Sequence, residues 1–406
     1  NQLDSLDVRN NTALTTLYCY YNSIDSLDVS NNTSLTSLWC QHNELTSLDV
    51  SNNTVLSNFL CDYNQLTSLD VSNNTSLNIL DCKENSIDSL DVNNNTDLTT
   101  LHCNNNQLTS LDVSNNTSLT ALWCQHNGLT SLDVFNNTAL TNLKCNNNQL
   151  DSLDVTSNTA LTNLYIDGNR LTSLDISSNT ALMYLGCSEN QLTSLDVSNN
   201  LELETLYCGY NQITSLDLSN HSELLVFDGS YGWLTSLNLK GRHPSEFESI
   251  YGVDNPLECV DVLDPTWAFD NWYQLNFDRS VEFAFICGAE DRSVWHVSAG
   301  GSNNTGDGTA ENPLATIQVA IDVASNGDSV LVGPGMYNEN ISWINKHLTI
   351  IGAGSGQTTI DAQQLDNGVR IQNINNSSLF EGFTIKNGST VSEDYPWAFG
   401  GGICMI

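Results

Sequence analysis

The chain has 406 residues, of which 11 are Lys or Arg and 47 are Asp or Glu, giving a formal net charge of -36. Nucleic acid and anionic lipid bind by exchanging counterions for Lys and Arg, so a surface this poor in cations repels both, and nucleic-acid binding is excluded. The length exceeds what one compact core serves, and with no run near the ~18 apolar residues of a membrane helix, no membrane insertion is expected.

From the N-terminus an Asn recurs every 21 residues without insertion, at Asn1, Asn22, Asn43, Asn64, Asn85, Asn106, Asn127, Asn148, Asn169, Asn190 and Asn211. A fixed period of this kind predicts a solenoid, in which each repeat packs only on its neighbours. One copy reads Leu14-x-x-Leu17-x-Cys19-x-x-Asn22-x-Ile24-x-x-Leu27-Asp28-Val29-Ser30-x-Asn32. Its two alternations of period two, Leu17-x-Cys19 and Leu27-x-Val29, predict two strands per turn with Leu, Cys and Val pointing inward. Stacked at ~4.8 Å, these strands make two short parallel sheets, and every repeat position becomes a column. The Asn22 column is expected to bond its amides to backbone of its own turn and of the next coil. Triplets such as Asn31-Asn32-Thr33 spell glycosylation acceptors, but their recurrence in nearly every turn indicates turn chemistry.

The repeat matches the leucine-rich-repeat template with Cys in its third apolar slot. Over residues 1–240 it resembles the short repeats called the IRREKO class, common in bacterial surface proteins. That resemblance implies a protein whose function is binding at a surface rather than chemistry.

Nine cysteines, Cys19, Cys40, Cys61, Cys82, Cys103, Cys124, Cys145, Cys187 and Cys208, fall in one inward column, and Ile166 takes the same slot. The Ile identifies the slot as one for a small apolar filler, so reduced, dry thiols are expected. Spacings such as C-x-x-C, which zinc or iron-sulfur sites need, do not occur. Outward on the second alternation stands an unbroken Asp column, Asp7, Asp28, Asp49, Asp70, Asp91, Asp112, Asp133, Asp154, Asp175, Asp196 and Asp217. Like charges at that spacing repel by on the order of 1 kcal/mol per pair in water. Hydrogen bonds from flanking hydroxyls and turn amides would offset this, and bridging Ca2+ is the alternative.

The first alternation behaves differently. Its outward column reads Tyr18, Trp39, Leu60, Asp81, His102, Trp123, Lys144, Tyr165, Gly186 and Tyr207. The column just before the Asn reads Tyr21, His42, Tyr63, Glu84, Asn105, His126, Asn147, Gly168, Glu189 and Tyr210. A monotonous scaffold that varies along one face, and is aromatic there, offers that face to a partner. The ligand-binding candidates are therefore Tyr18, Tyr21, Trp39, His42, Tyr63, His102, Trp123, His126, Lys144, Tyr165, Tyr207 and Tyr210.

Residues 241–292 carry a degenerate last turn (Phe247, Ile250, Asn255, Leu257) and an aromatic segment with Trp267, Phe269, Trp272, Tyr273, Phe277, Phe283 and Phe285, bulky enough to cap an open core. Cys259 and Cys287 flank it and read as a disulfide in a secreted chain. Beyond residue 293, a helix near Thr316 to Ala324 precedes short apolar strands at Val330, Leu348 to Ile351, Thr358 to Ile360, Val369 to Ile371 and Phe383 to Ile385. That order resembles the opening of a right-handed parallel β-helix of the pectate-lyase-like superfamily, whose catalytic groups the resemblance places on later coils. Asp307, Asp328, Asp361 and Asp366 are expected in loops or caps, and no catalytic residue is nominated.

The fold expected is thus an all-β solenoid in three segments, 1–240, 241–292 and 293–406, cut from a longer secreted or cell-surface protein. The function expected is adhesion to a protein or glycan ligand, with self-association through solenoid ends as a further contact. A polysaccharide lyase or hydrolase completed by further coils, and a structural fibre or stalk, are the other two classes.

Overall fold

The computed structural model describes residues 3–272, 276–289, 292–363, 368–374 and 377–388, with 403–405 as backbone. The chain divides into two compact units, the first made of Asn1–Asn238, Ser245–Glu258 and Asp270–Val281, the second of Leu239–Pro244, Cys259–Phe269 and Glu282–Ile406. None of the helices among the described residues is long and apolar enough to cross a membrane.

In the first unit each repeat contributes one three-residue strand, from Thr16–Tyr18 and Ser37–Trp39 to Val226–Asp228 and Ser249–Tyr251, to a 12-stranded parallel sheet in chain order. Register is in step, Leu17 against Leu38 and Leu38 against Phe59. Leu35, Leu38, Cys40, Leu45 and Val50 of a single turn are all fully buried. At ~1.5–3 kcal/mol per large buried apolar side chain, this interior is the main stabilising term of every turn. The frame survives the two-residue slip before the last turn, where Phe227 pairs with Ile250 and Asn255 bonds Gly229 O at 2.9 Å and Gly252 O at 3.1 Å.

Two asparagine ladders tie the turns together. In the first, Asn43 donates through Nδ2 to Cys40 O of its own turn and Cys19 O of the turn before, both at 3.0 Å, while its Oδ1 accepts from Ile24 N at 3.1 Å. The second ladder, Asn32 and its equivalents, is also buried. Asn53 Nδ2 there donates to Val29 O at 3.1 Å and Asn32 O at 2.9 Å, and its Oδ1 accepts from no protein donor.

This second ladder accounts for a difference from the sequence pattern. Among the described residues of this unit the second alternation forms hydrogen-bonded strands only at Ser215–Asp217 and Ser236–Asn238. In earlier turns the same Leu-Asp-Val segment makes no ladder. There the Val carbonyl is taken by an Asn side chain of the following turn instead of a strand amide. The change to strand comes where the ladder residue becomes His221, bonded to Val197 O at 3.1 Å.

All nine column cysteines are buried free thiols. They are therefore expected to resist an alkylating reagent in the native protein and to react together on denaturation, with mass mapping returning Cys259 and Cys287 as the bonded pair. A ladder cysteine recovered in a disulfide would sink this expectation. Of the aromatics expected to cap the core, Trp272 and Phe277 are buried, and Phe247 meets Trp272 edge-on at 5.7 Å. Phe269 is instead exposed, and Tyr273 lies outside the described residues.

In the second unit Cys259 and Cys287 are joined by a disulfide, and the strand Cys259–Asp261 pairs with Glu282–Ala284. The helix is Ile317–Val323, with Thr316 as N-cap, and Glu339 accepts from Ile317 N and Gln318 N at 2.9 Å each. Consecutive strands after it pass in turn to three parallel sheets. Ser329–Val332 is followed by Thr349–Gly352 in one, Gly335–Tyr337 by Thr358–Asp361 in the next, and Ile341–Ile344 by Val369–Gln372 in the third. Trp295, Trp343, Ile350 and Ile360 fill the interior. Asp328 is buried and accepts from Ser325 N and Trp295 Nε1, a structural role. Asp361 closes a strand rather than sitting in a loop, and Asp366 lies outside the described residues.

Candidate ligand-binding face

Both variable columns are set by backbone geometry that repeats at every turn. The residue before each Asn of the first ladder sits in the left-handed region, at φ 55 for Tyr21, 52 for His42, 50 for Tyr63 and 53 for Tyr210, and Tyr231, before Gly232, shares it at 57. Non-glycine residues there cost about 1–2 kcal/mol each. The Asn ladder and bonds such as Tyr21 N to Gln41 O and His42 N to Asp62 O hold the corner. Because each corner is the same, side chains in the column superpose, and aromatic ones stack. Tyr21, His42 and Tyr63 form one such pile, with ring centroids 4.1 and 4.3 Å apart and planes within 13° and 8°. Tyr21 and Tyr63 remain exposed.

The strand column builds further stacks. Tyr18 lies 4.4 Å from Trp39. His102 stacks on Trp123 at 3.9 Å, and the Lys144 ammonium sits between the next two rings, 4.1 Å from Trp123 and 4.7 Å from Tyr165. Burial pulls the Lys144 amine below its ordinary pKa. Tyr165 stacks on Tyr184 at 4.2 Å, and Tyr184 reaches Tyr207 at 5.8 Å. Below His102, its Nδ1 lies 3.2 Å from Asp81 Oδ2, which Lys83 also meets at 2.6 Å, with Asp62 at 3.5 Å from the same amine. Burial works to raise the Asp81 carboxyl, but hydrogen bonds from His102 and Lys83 outweigh it and hold it below the ordinary value.

The structure thus gathers eleven of the twelve candidates into ring contacts or the Lys144 sandwich. His126 is exposed on its column, between Asn105 and Asn147. Tyr20, Tyr184, Tyr231 and Trp233 are aromatics that the candidate set leaves out. Tyr184 opens a strand, two residues before the column that varies visibly, and Tyr231 belongs to a turn where Gly232 replaces the marker Asn. Gly186 also has a local cause: a Cβ there would come within 2.5 Å of an Asp167 carboxylate oxygen.

The Asp column is held by hydrogen bonds. Asp28 Oδ1 accepts from Ser30 N at 3.0 Å and Ser30 Oγ at 2.6 Å, and Asp49, Asp70, Asp154 and Asp175 repeat the backbone bond. The hydroxyl and amide two residues on hold the carboxyls of Asp28, Asp49 and Asp70 below their ordinary range. Among the described residues no group of three His, Cys, Asp or Glu side chains converges as a metal site.

No protein-family profile matches the chain, and no curated protein matches it either. Solved structures do. The functional domain of InlJ from Listeria monocytogenes, described as including a cysteine ladder, is 31% identical over 84% of this chain and 69% of that domain, with a TM-score of 0.58. An internalin from Listeria monocytogenes, InlF, is 22% identical over 65% of this chain and 80% of its own, also at 0.58. A leucine-rich-repeat protein of Leptospira interrogans is 18% identical over 95% and 88%, at 0.57. The last two likenesses carry the fold alone, whereas the first spans repeat, ladder and length together, and the chain belongs to the leucine-rich-repeat family that InlJ represents.

Proposed function

We propose that the protein is an extracellular or cell-surface adhesion protein that presents its first-strand face to a protein or glycan ligand. The observation that carries this reading is the run of stacked, part-exposed aromatic rings along one sheet of an otherwise uniform solenoid. Rigid ring stacks lose little conformational entropy on binding and offer large amphipathic area, the composition of interface anchors. The Cys259–Cys287 disulfide supports an oxidising compartment. The division at 1–240, 241–292 and 293–406 assigns recognition to the first segment. The last, whose strands pass through three sheets in turn, is read as a right-handed β-helix of the pectate-lyase-like kind.

A glycan array or surface pull-down identifies the ligand, and calorimetry then compares variants. Trp39→Ala and Trp123→Ala are each expected to lose about 2 kcal/mol or more of binding. Asp49→Ala and Asp112→Ala, on the Asp column, should leave affinity for an uncharged ligand unchanged. Binding that survives both Trp changes but disappears with the Asp changes would show the wrong face was chosen.

A further inference from the structure

We propose that the stacked pair Tyr210 and Tyr231, bracketed by Glu189, Asp228 and Asp254, is a subsite for arginine side chains of a basic protein segment. This rests on the first-strand face being the ligand face and narrows the ligand to a cationic polypeptide. The two rings lie 4.6 Å apart with planes within 15°, and both are about half exposed, at 52% and 49%. Glu189 occupies the same left-handed corner one turn before them and Asp254 one turn after. Asp228 stands beside them on the strand, fixed by Ser230 N at 2.9 Å. Partial desolvation, then Tyr231 and the same three carboxylates, push the Tyr210 hydroxyl above its ordinary pKa, consistent with their closeness.

The face already displays this chemistry elsewhere, as where the Lys83 amine lies 5.9 Å from the Tyr63 ring. Lys144 lies between the Trp123 and Tyr165 rings of the turns on either side, so aromatic faces on these columns already hold a cation supplied by the chain itself. Between Glu189 and Asp254 neither column carries a Lys or Arg, and the positions that would supply one are carboxylates. The basic residues of the first 238 positions are Arg9, Lys83, Lys144 and Arg170. Two of them, Lys83 and Lys144, are engaged on this face. A guanidinium stacks on a ring face and reaches a flanking carboxylate with its fork of donors, which suits it better than an ammonium. A neutral sugar would use the rings but leave the carboxylates without a cation.

The test uses the intact chain and a fluorescent Gly-Ser peptide with several spaced arginines, read by anisotropy at physiological ionic strength. Its control probe replaces arginine by citrulline, which keeps the shape and loses the charge. Expected is binding of the arginine peptide alone, weakened about tenfold or more by Tyr210→Leu with Tyr231→Leu, which leave net charge unchanged. Glu189→Gln with Asp254→Asn should weaken it comparably, and Asp28→Asn with Asp49→Asn, which remove equal charge on the other face, by no more than about twofold. Equal weakening by the Asp28 and Asp49 pair, or none by the tyrosine pair, would reduce the effect to bulk polyelectrolyte attraction and overturn the subsite. So would a mannan hexasaccharide that binds through the two tyrosines while the arginine peptide does not bind. Arginine-peptide binding that needs Tyr210 and Tyr231 but ignores Trp39→Ala and Trp123→Ala upholds the subsite even if the wider adhesion reading fails.

Discussion

Replacing Asn148, a buried residue, by Ala is expected to destabilise the solenoid by about 3–4 kcal/mol. Asn148 Nδ2 donates to Cys145 O at 3.0 Å and Cys124 O at 3.1 Å, and Oδ1 accepts from Leu129 N at 3.0 Å. The two carbonyls keep second donors after the change, because Asn127 also bonds Cys124 O and Asn169 also bonds Cys145 O. Leu129 N keeps none among the bonds of this ladder, so the buried amide is the costly loss, at ~1–3 kcal/mol. Two lost hydrogen bonds and a small void add the remainder. Asn137→Ala is the internal comparison. Its Nδ2 donates to Val113 O and Asn116 O, but its Oδ1 serves no protein donor, so no amide is orphaned and a cost nearer ~1–2 kcal/mol is expected. Urea unfolding followed by circular dichroism measures both. A mid-array break can also split the transition, since repeats contact only neighbours, so the shape of the curve is part of the readout. If Asn137→Ala proves the more damaging change, the ladder has been assigned the wrong hierarchy.

Alkaline pH is expected to unfold the first unit through its thiols. Burial raises Cys19 to about 11 and Cys208 to about 12 from an ordinary 9.0, and drives the others between them upward for the same reason. A folded pKa above the unfolded one means stability is fully present below pH 9 and is lost as pH rises towards the folded values. Each thiol contributes about 1.4 kcal/mol per pH unit in that window, so nine together remove on the order of 10 kcal/mol by pH 10. That equals the whole stability of an ordinary domain. Urea midpoints between pH 7 and 11 should therefore fall steeply above 9. Cys103→Ala with Cys124→Ala should flatten the slope by about two protons, which separates thiols from titrating tyrosines. A slope that these changes leave alone would place the alkaline transition elsewhere.

The repeat, the inward Leu, Cys and Asn columns, and the two outward columns on the first strand were all legible in the sequence, because each depends only on period and side-chain type. Whether neighbouring turns come close enough for a ladder was not legible. Leu27-x-Val29 alternates like a strand, but its carbonyl is met by Asn53, a partner 24 residues away whose reach no local pattern reveals. The stacking was hidden for a related reason. Tyr21, His42 and Tyr63 look like scattered variation until the left-handed corner superposes them, and Lys144 reads as a free cation until Trp123 and Tyr165 close on it. Tyr231 is not legible as a column member because Gly232 breaks the Asn count that marks its turn.

The identical corners also make the outward face editable by recombination. Up to Asn211 the ladder contacts link residues at fixed offsets, such as 21 between Asn32 and Asn11, so excising one period rejoins the chain without a frame shift in its packing. Removal of residues 106–126 would connect Asn105 to Asn127 and keep Leu, Cys and Asn in line. It would also delete Trp123 and lower Lys144 onto His102, replacing a ring by an ammonium beside an imidazole. Unequal exchange between copies of such a gene therefore shuffles the outward side chains in whole rungs while leaving the interior unchanged, and the face can diversify without passing through unfolded intermediates.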